Sequence, residues 1–166
     1  MIDPLPLVAI SKLASEQTKA TAETLKAAQR CLDYLATFPN RTITYEKSDM
    51  VLYVHSDGTY LVEPEARSRA GGFFYLSNFI KDITKASPKL NGPIHVLCKI
   101  LKNVVTSAAE CEIASAFENG QDAIVIRRAL QEMGHHQPST PIQLDNTTAT
   151  SFVHGTLKQN ERRAST

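Results

Sequence analysis

The sequence predicts an α/β protein, a mixed β-sheet with helices packed on it, preceded by a helical N-terminal segment. Three observations carry this. The runs "VLYVHSDGTY" (51–60) and "RAGGFFYLSN" (69–78) are rich in β-branched and aromatic residues and read as strands. "PIHVLCKILKNVV" (93–105) contains a third strand, and the strongest helical stretch, "TSAAECEIASAFENGQDAIVIRRALQEMG", follows it. A short run, "IQLD" (142–145), then returns as a strand. A strand meander, a helix and a returning strand make a mixed sheet with helices against it.

Each element has a local reason. Residues 4–38 read as helix, starting behind Asp3 and Pro4, with Leu25, Ala28, Leu32 and Leu35 on one face and Pro39 as the stop. "TITY" (42–45) is a short β-like run. The opening strand ends at Asp57-Gly58, a turn dipeptide, and "LVEPEARSRA" reads as a polar loop. In the long helix, Ala109, Ile113, Ala116 and Phe117 form the apolar stripe expected to face the sheet. Gly120 is a possible break in it and Gly134 a good C-terminal stop. "NTTATSFVHGTL" (146–157) reads as a further, partial helix and "KQNERRAST" as a polar basic tail.

The bulk numbers exclude several classes. The 166 residues suffice for one domain with a real core, and 42% apolar residues favour folding over disorder. With 18 basic and 17 acidic residues the formal net charge is +1, so any nucleic-acid surface must be local. Cys31, Cys98 and Cys111 share no CxxC spacing and read as reduced thiols, not a disulfide frame or zinc site. No secretory signal is visible, and no run approaches the ~18 apolar residues of a membrane span. The expectation is a soluble, intracellular protein without a membrane partner.

Carboxylates at three places carry the chemistry, with two candidates at the third. Asp57 closes the first strand, Asp145 closes the strand after the long helix, and Glu110 and Glu112 stand in that helix's first turns among Ala108, Ala109, Cys111 and Ile113. Strand tips and a helix can converge at one edge of a sheet. Clustered carboxylates repel one another and need a cation, and oxygen-only ligands suit Mg²⁺ or Mn²⁺. Taken singly, each Asp also reads as a turn residue and each Glu as a solvated helix residue. His135-His136 reads as a loop, and the Phe73-Phe74-Tyr75 run as strand core rather than a base-stacking platform.

"HSDGTYLVEPEARSRAGGFFYLSN", "TSAAECEIASAF", "IRRALQEMGHHQPSTPIQLDNTTA" and "KQNERR" stand in an order that resembles the ribonuclease H domain of copia-type LTR retrotransposon reverse transcriptase polyproteins. The resemblance covers roughly residues 50–163, and residues 4–48 resemble the connection preceding that domain. It implies a helical connection over 1–48 and a ribonuclease H-like domain over 49–166. It further implies metal-dependent hydrolysis of the RNA strand of RNA–DNA hybrids, with two Mg²⁺ or Mn²⁺ ions. By position, Asp57, Glu112 and Asp145 match the catalytic, metal-holding carboxylates, with Glu110 the runner-up on the helix. Asn146 follows Asp145 as in the family. Arg67, Arg69, Lys158, Arg162 and Arg163 are candidate nucleic-acid contacts. The implied partners are the hybrid and a polymerase domain of the same polyprotein; the implied location is cytoplasmic, in virus-like particles. Two departures bear on activity. Gly58 replaces the usual Ala after the first Asp, and the family's fourth carboxylate, expected beyond the basic segment, is missing after "ERRAST". The expectation is a C-terminally incomplete domain, and its alternative function is that of a catalytically inactive fold serving as a structural or nucleic-acid-binding module.

Overall fold

The computed structural model describes residues 5–83 and 85–145. The elements run α1 (Leu7–Glu16), α2 (Ala22–Thr37), β1 (Val51–Glu63), β2 (Arg67–Ser77), β3 (Pro93–Ile100), α3 (Ala108–Glu132) and β4 (Ile142–Leu144). The expected α/β architecture, a mixed sheet with packed helices, is the observed one. The sheet order is β3-β2-β1-β4, with β3, β2 and β1 antiparallel and β4 parallel to β1. Residues 146–157, expected as a partial helix, and Asn146, Lys158, Arg162 and Arg163 lie outside the described residues.

Alternation along β1 and β2 gives the sheet two unlike faces. Leu52, Val54, Ala70, Phe74 and Leu76 join Leu97, Cys111, Ala123 and Leu130 in the main core beneath α3. Val51, Tyr53 and Tyr75, with Phe73 against them, form a smaller cluster on the other face. The α1 helix lies on that second side, where Ser11 reaches β3. At the edges, His95 Nε2 lies 3.0 Å from Asp122 and Lys99 reaches Glu118 at 2.6 Å, tying β3 to α3. Gln137 fills the backbone positions that β4 has not yet reached, accepting from Leu52 N at 3.1 Å and donating to Met50 O at 2.7 Å.

Several expectations change. β1 does not end at Asp57 but continues to Glu63, and a tight turn at 64–66 joins it to β2. Asp57-Gly58 is therefore mid-strand, paired with Gly71 and Ala70. The reason is steric: a Cβ on residue 58 would come within 2.8 Å of the Cys111 carbonyl oxygen, so glycine serves a close helix approach here and not a turn. The 42–45 run forms no strand; its groups go to loop contacts instead, such as Tyr45 O–H to Pro93 O at 2.9 Å. The 4–38 helix is two helices with a short 3₁₀ turn between them, and Thr21 caps the second through a reciprocal bond with Thr24.

The helix α3 runs unbroken through Gly120. It stops at Gly134, whose φ of +89° ends the helix in the left-handed region while His135 N–H bonds Leu130 O at 2.9 Å. Its expected stripe is wrong. Phe117 is 65% exposed, and the buried positions are Cys111, Glu112, Ser115, Asn119, Ala123 and Leu130. From Cys111 to Ala123 these also recur at helical spacing, but as small or polar residues, because this part of α3 approaches the sheet closely.

Candidate functional site

Three elements bring the three predicted carboxylates together. Asp57 sits on the β1 face away from α3, and the parallel register Ser56↔Leu144 sets Asp145 beside it. Glu112 reaches the same point from the second turn of α3. Asp57, Glu112 and Asp145 each offer an oxygen within 4.8 Å of the others'. Asp57 and Asp145 are exposed, whereas Glu112 is only 4% exposed, and its Oε2 has no hydrogen-bond partner.

Burial raises the Glu112 carboxyl to about 7; the Gly58 backbone N–H opposes this, while the neighbouring charges of Asp145 and Asp57 and a hydrogen bond with Asp145 add to it. The group therefore holds a proton where a free carboxyl would have lost it. Glu110 has a different job. Its carboxylate accepts from Thr106 N at 2.6 Å and Thr106 Oγ1 at 2.7 Å, and its own N–H donates to the capping Ser107 Oγ at 3.1 Å. The side-chain bond from Thr106, then the backbone one, holds its pKa below the usual range. Glu110 is a helix-start residue and does not join the cluster among the described residues.

A polar network fixes the strand behind Asp57. Ser115 Oγ donates to the Asp57 carbonyl at 2.5 Å, and Ser56 Oγ donates to Ser115 Oγ at 3.2 Å. Asn119 Nδ2 donates to Gly71 O at 2.8 Å and Ser56 Oγ at 2.9 Å. Sequence reasoning missed Ser56 on β1 and Ser115 and Asn119 on α3 because small polar residues in strands and helices read as solvated. The available signal was Gly58 and Gly72, both facing α3; a Cβ on Gly72 would fall 1.8 Å from Asn119 Oδ1.

The two described arginine candidates behave differently. Arg67 is exposed and pairs with Glu65 at 2.9 Å. Arg69 is not in a solvated loop but buried on β2, paired with Glu63 at 2.7 Å and donating to Ser11 Oγ at 2.6 Å. His55, two residues before Asp57 on the same face, lies 3.1 Å from the Tyr75 hydroxyl through Nε2. Burial lowers the His55 pKa, so its ring is neutral near pH 7.

The oxygen-only donor set, its mutual repulsion and the orphaned Glu112 oxygen fit a hard divalent cation better than they fit any protein partner present. No helix among the described residues is long and apolar enough to cross a membrane.

No family model matches the chain, and no curated protein matches it. Among solved structures the chain is similar to the crystal structure of LC11-RNase H1 in complex with RNA/DNA hybrid, at 12% identity and a TM-score of 0.44. The alignment covers 66% of this chain and 65% of that one, slightly less than two thirds of the neighbour's length. A likeness of that degree assigns no activity to this chain.

Proposed function

We propose that this chain is a ribonuclease H-type domain that hydrolyses the RNA strand of RNA–DNA hybrids with a divalent metal, in the setting of a copia-type reverse transcriptase. The observation that carries the reading is the convergence of Asp57, Glu112 and Asp145 from two parallel neighbouring strands and one helix. The ordered sequence motifs supply the substrate class. An intracellular, particle-associated setting and a polymerase partner on the same polyprotein belong to this reading and rest on the sequence resemblance alone.

In this reading Asp57, Glu112 and Asp145 hold the metal. When bound, a pair of hard divalent ions supplies an activated water and neutralises charge at the phosphate and leaving oxygen. The chain's own residues prepare for this. Glu112, buried and raised to about 7, would give up its proton on holding the cation. The Ser115 bond to the Asp57 carbonyl fixes the strand that carries Asp57, so its carboxylate need not be ordered at the moment of reaction. Gly58 lets the first turns of α3 come close enough for Glu112 to reach the strand edge.

The test is digestion of a hybrid labelled on each strand in turn, with Mg²⁺, Mn²⁺ or EDTA, beside Asp57→Asn. Cleavage confined to the RNA strand, dependent on metal and reduced to background by Asp57→Asn, is expected. Metal binding without cleavage would overturn the catalytic reading and leave the inactive, hybrid-binding or structural one.

A further inference from the structure

Cys98 is a nucleophile that metal-dependent hydrolysis leaves unused. It is half-buried on β3 and lines a groove of about 420 Å³ on the sheet face opposite α3. Register places it beside Gly71, which in turn pairs with Asp57. The other two thiols are placed differently. Cys111 is sealed in the core on the far side of the sheet, and Cys31 is half-buried on α2.

Cys98 is set apart by its neighbour. Arg69 Nη1 donates to Cys98 Sγ at 3.3 Å and to Ser11 Oγ at 2.6 Å, while Nε is held by Glu63 at 2.7 Å. Arg69 is only 5% exposed, so water and salt do little to screen its charge from the sulfur. Glu63 offsets that charge but binds at Nε, which leaves Nη1 on the sulfur side. A thiol attacks as its thiolate, and reactive cysteines share a cationic neighbour and partial access to solvent. Cys98 has both.

The same pair lacks two partners. Arg69 Nη2 is a buried donor without an acceptor, and Glu63 Oε2 is a buried acceptor without a donor. Native structures rarely leave such groups unmet. Nη2 sits on the same carbon as the Nη1 that touches Sγ, which brings it within reach of an oxygen added there. A sulfenic acid, S–O–H, carries the complement of both orphans: an oxygen that accepts and a proton that it donates.

We propose that Cys98 is a modification site for hydroperoxides, oxidised reversibly to the sulfenic acid beside Arg69. The sulfur attacks one peroxide oxygen. An S–O bond forms and the O–O bond breaks. The other oxygen leaves with the electron pair and takes up the thiol proton, as water or an alcohol. Sulfur loses two electrons and the peroxide gains them. Asp57 and Asp145, exposed on the same groove, disfavour anionic oxidants, so a neutral hydroperoxide is the fitting class. This chemistry needs neither metal nor hybrid and is independent of nuclease activity.

The experiment treats the full chain with hydrogen peroxide at pH 7 in EDTA. Sulfenic acid is trapped with dimedone, and adduct formation at each cysteine is timed by peptide mass spectrometry. The Cys98 adduct should form at least tenfold faster than that of Cys31. Without dimedone, dithiothreitol should restore the Cys98 thiol. Glu63→Leu with Arg69→Met should slow Cys98 at least fivefold. Loss of the Ser11 contact would by itself expose Cys98 and speed the reaction, so a fall reports the guanidinium. Arg69→Lys keeps a charge beside Glu63 but has no fork to span to the sulfur, and it should slow Cys98 at least threefold. Cys98 reacting no faster than Cys31, or at the wild-type rate in either variant, overturns the assignment. Oxidation that dithiothreitol does not reverse overturns the sulfenic product.

Discussion

At the residue scale the site turns on Glu112. Its carboxyl sits at about 7 in the fold, mainly through burial, against an ordinary value of 4.5. Between those values the native state holds a proton that the unfolded chain has released. Stability without metal therefore falls as pH rises through that window, by at most about 3 kcal/mol. On the proposed reading a cation in the cluster would take the proton's place, so metal affinity should rise with pH over the same range. Melts in EDTA should drop from pH 5 to pH 8, and Mn²⁺ should restore the loss at the upper end. Glu112→Gln should flatten the slope relative to wild type and abolish the Mn²⁺-induced rise in Tm. An unchanged slope in that variant would show that the carboxyl titrates normally. Ordered motifs make Asp57, Glu112 and Asp145 legible in the sequence as one group, with Glu110 the runner-up on the helix. Ser115 and Asn119 were not legible, since nothing local separates a buried serine bonded to a strand carbonyl from a solvated one.

At the element scale, α3 shows why the apolar pattern misled. Hydrophobicity marks a stripe through Ile113 and Phe117, yet Phe117, Ile124 and Val125 are exposed and the sheet-facing positions are Cys111, Ser115, Asn119 and Ala123. Tight approach selects for volume over polarity, and the matching bare positions are Gly58 and Gly72 on the strands. Two variants test this. In Gly58→Ala the added methyl meets the backbone of Cys111 and Glu112 at 2.8–2.9 Å, which cannot rotate away. It should cost ~1–3 kcal/mol and weaken Mn²⁺ binding, because the turn that moves carries Glu112. Gly72→Ala meets the Asn119 side chain instead. It should cost a similar amount by urea denaturation but leave Mn²⁺ affinity closer to wild type. Equal loss of metal binding in both variants would mean that the site depends on the whole sheet and not on the Gly58 contact.

At the scale of the whole molecule the question is how the N-terminal helices join the sheet. The sequence resemblance divides the chain near residue 48, since long-range polar contacts leave no periodicity that would join the two parts. In the fold, Ser11 of α1 touches Arg69 and Cys98, while α1 itself has no buried residue. Its attachment therefore leans on the buried Glu63–Arg69 pair at 2.7 Å. That pair is imperfectly satisfied, since Glu63 Oε2 and Arg69 Nη2 are buried without partners. Removing one member strands a charge: Glu63→Ala should cost ~3–5 kcal/mol. Replacing both with apolar residues, Glu63→Leu with Arg69→Met, removes both desolvation penalties and should leave the urea midpoint at or above wild type. The same double variant takes away the donor to Ser11, so α1 should open locally while the sheet holds. Limited proteolysis should then cut within Leu7–Glu16 faster than in wild type, although global stability is undiminished. Cleavage at the wild-type rate in the double variant would show that α1 is held by its apolar contacts, and that the polar chain through Arg69 is incidental to its position.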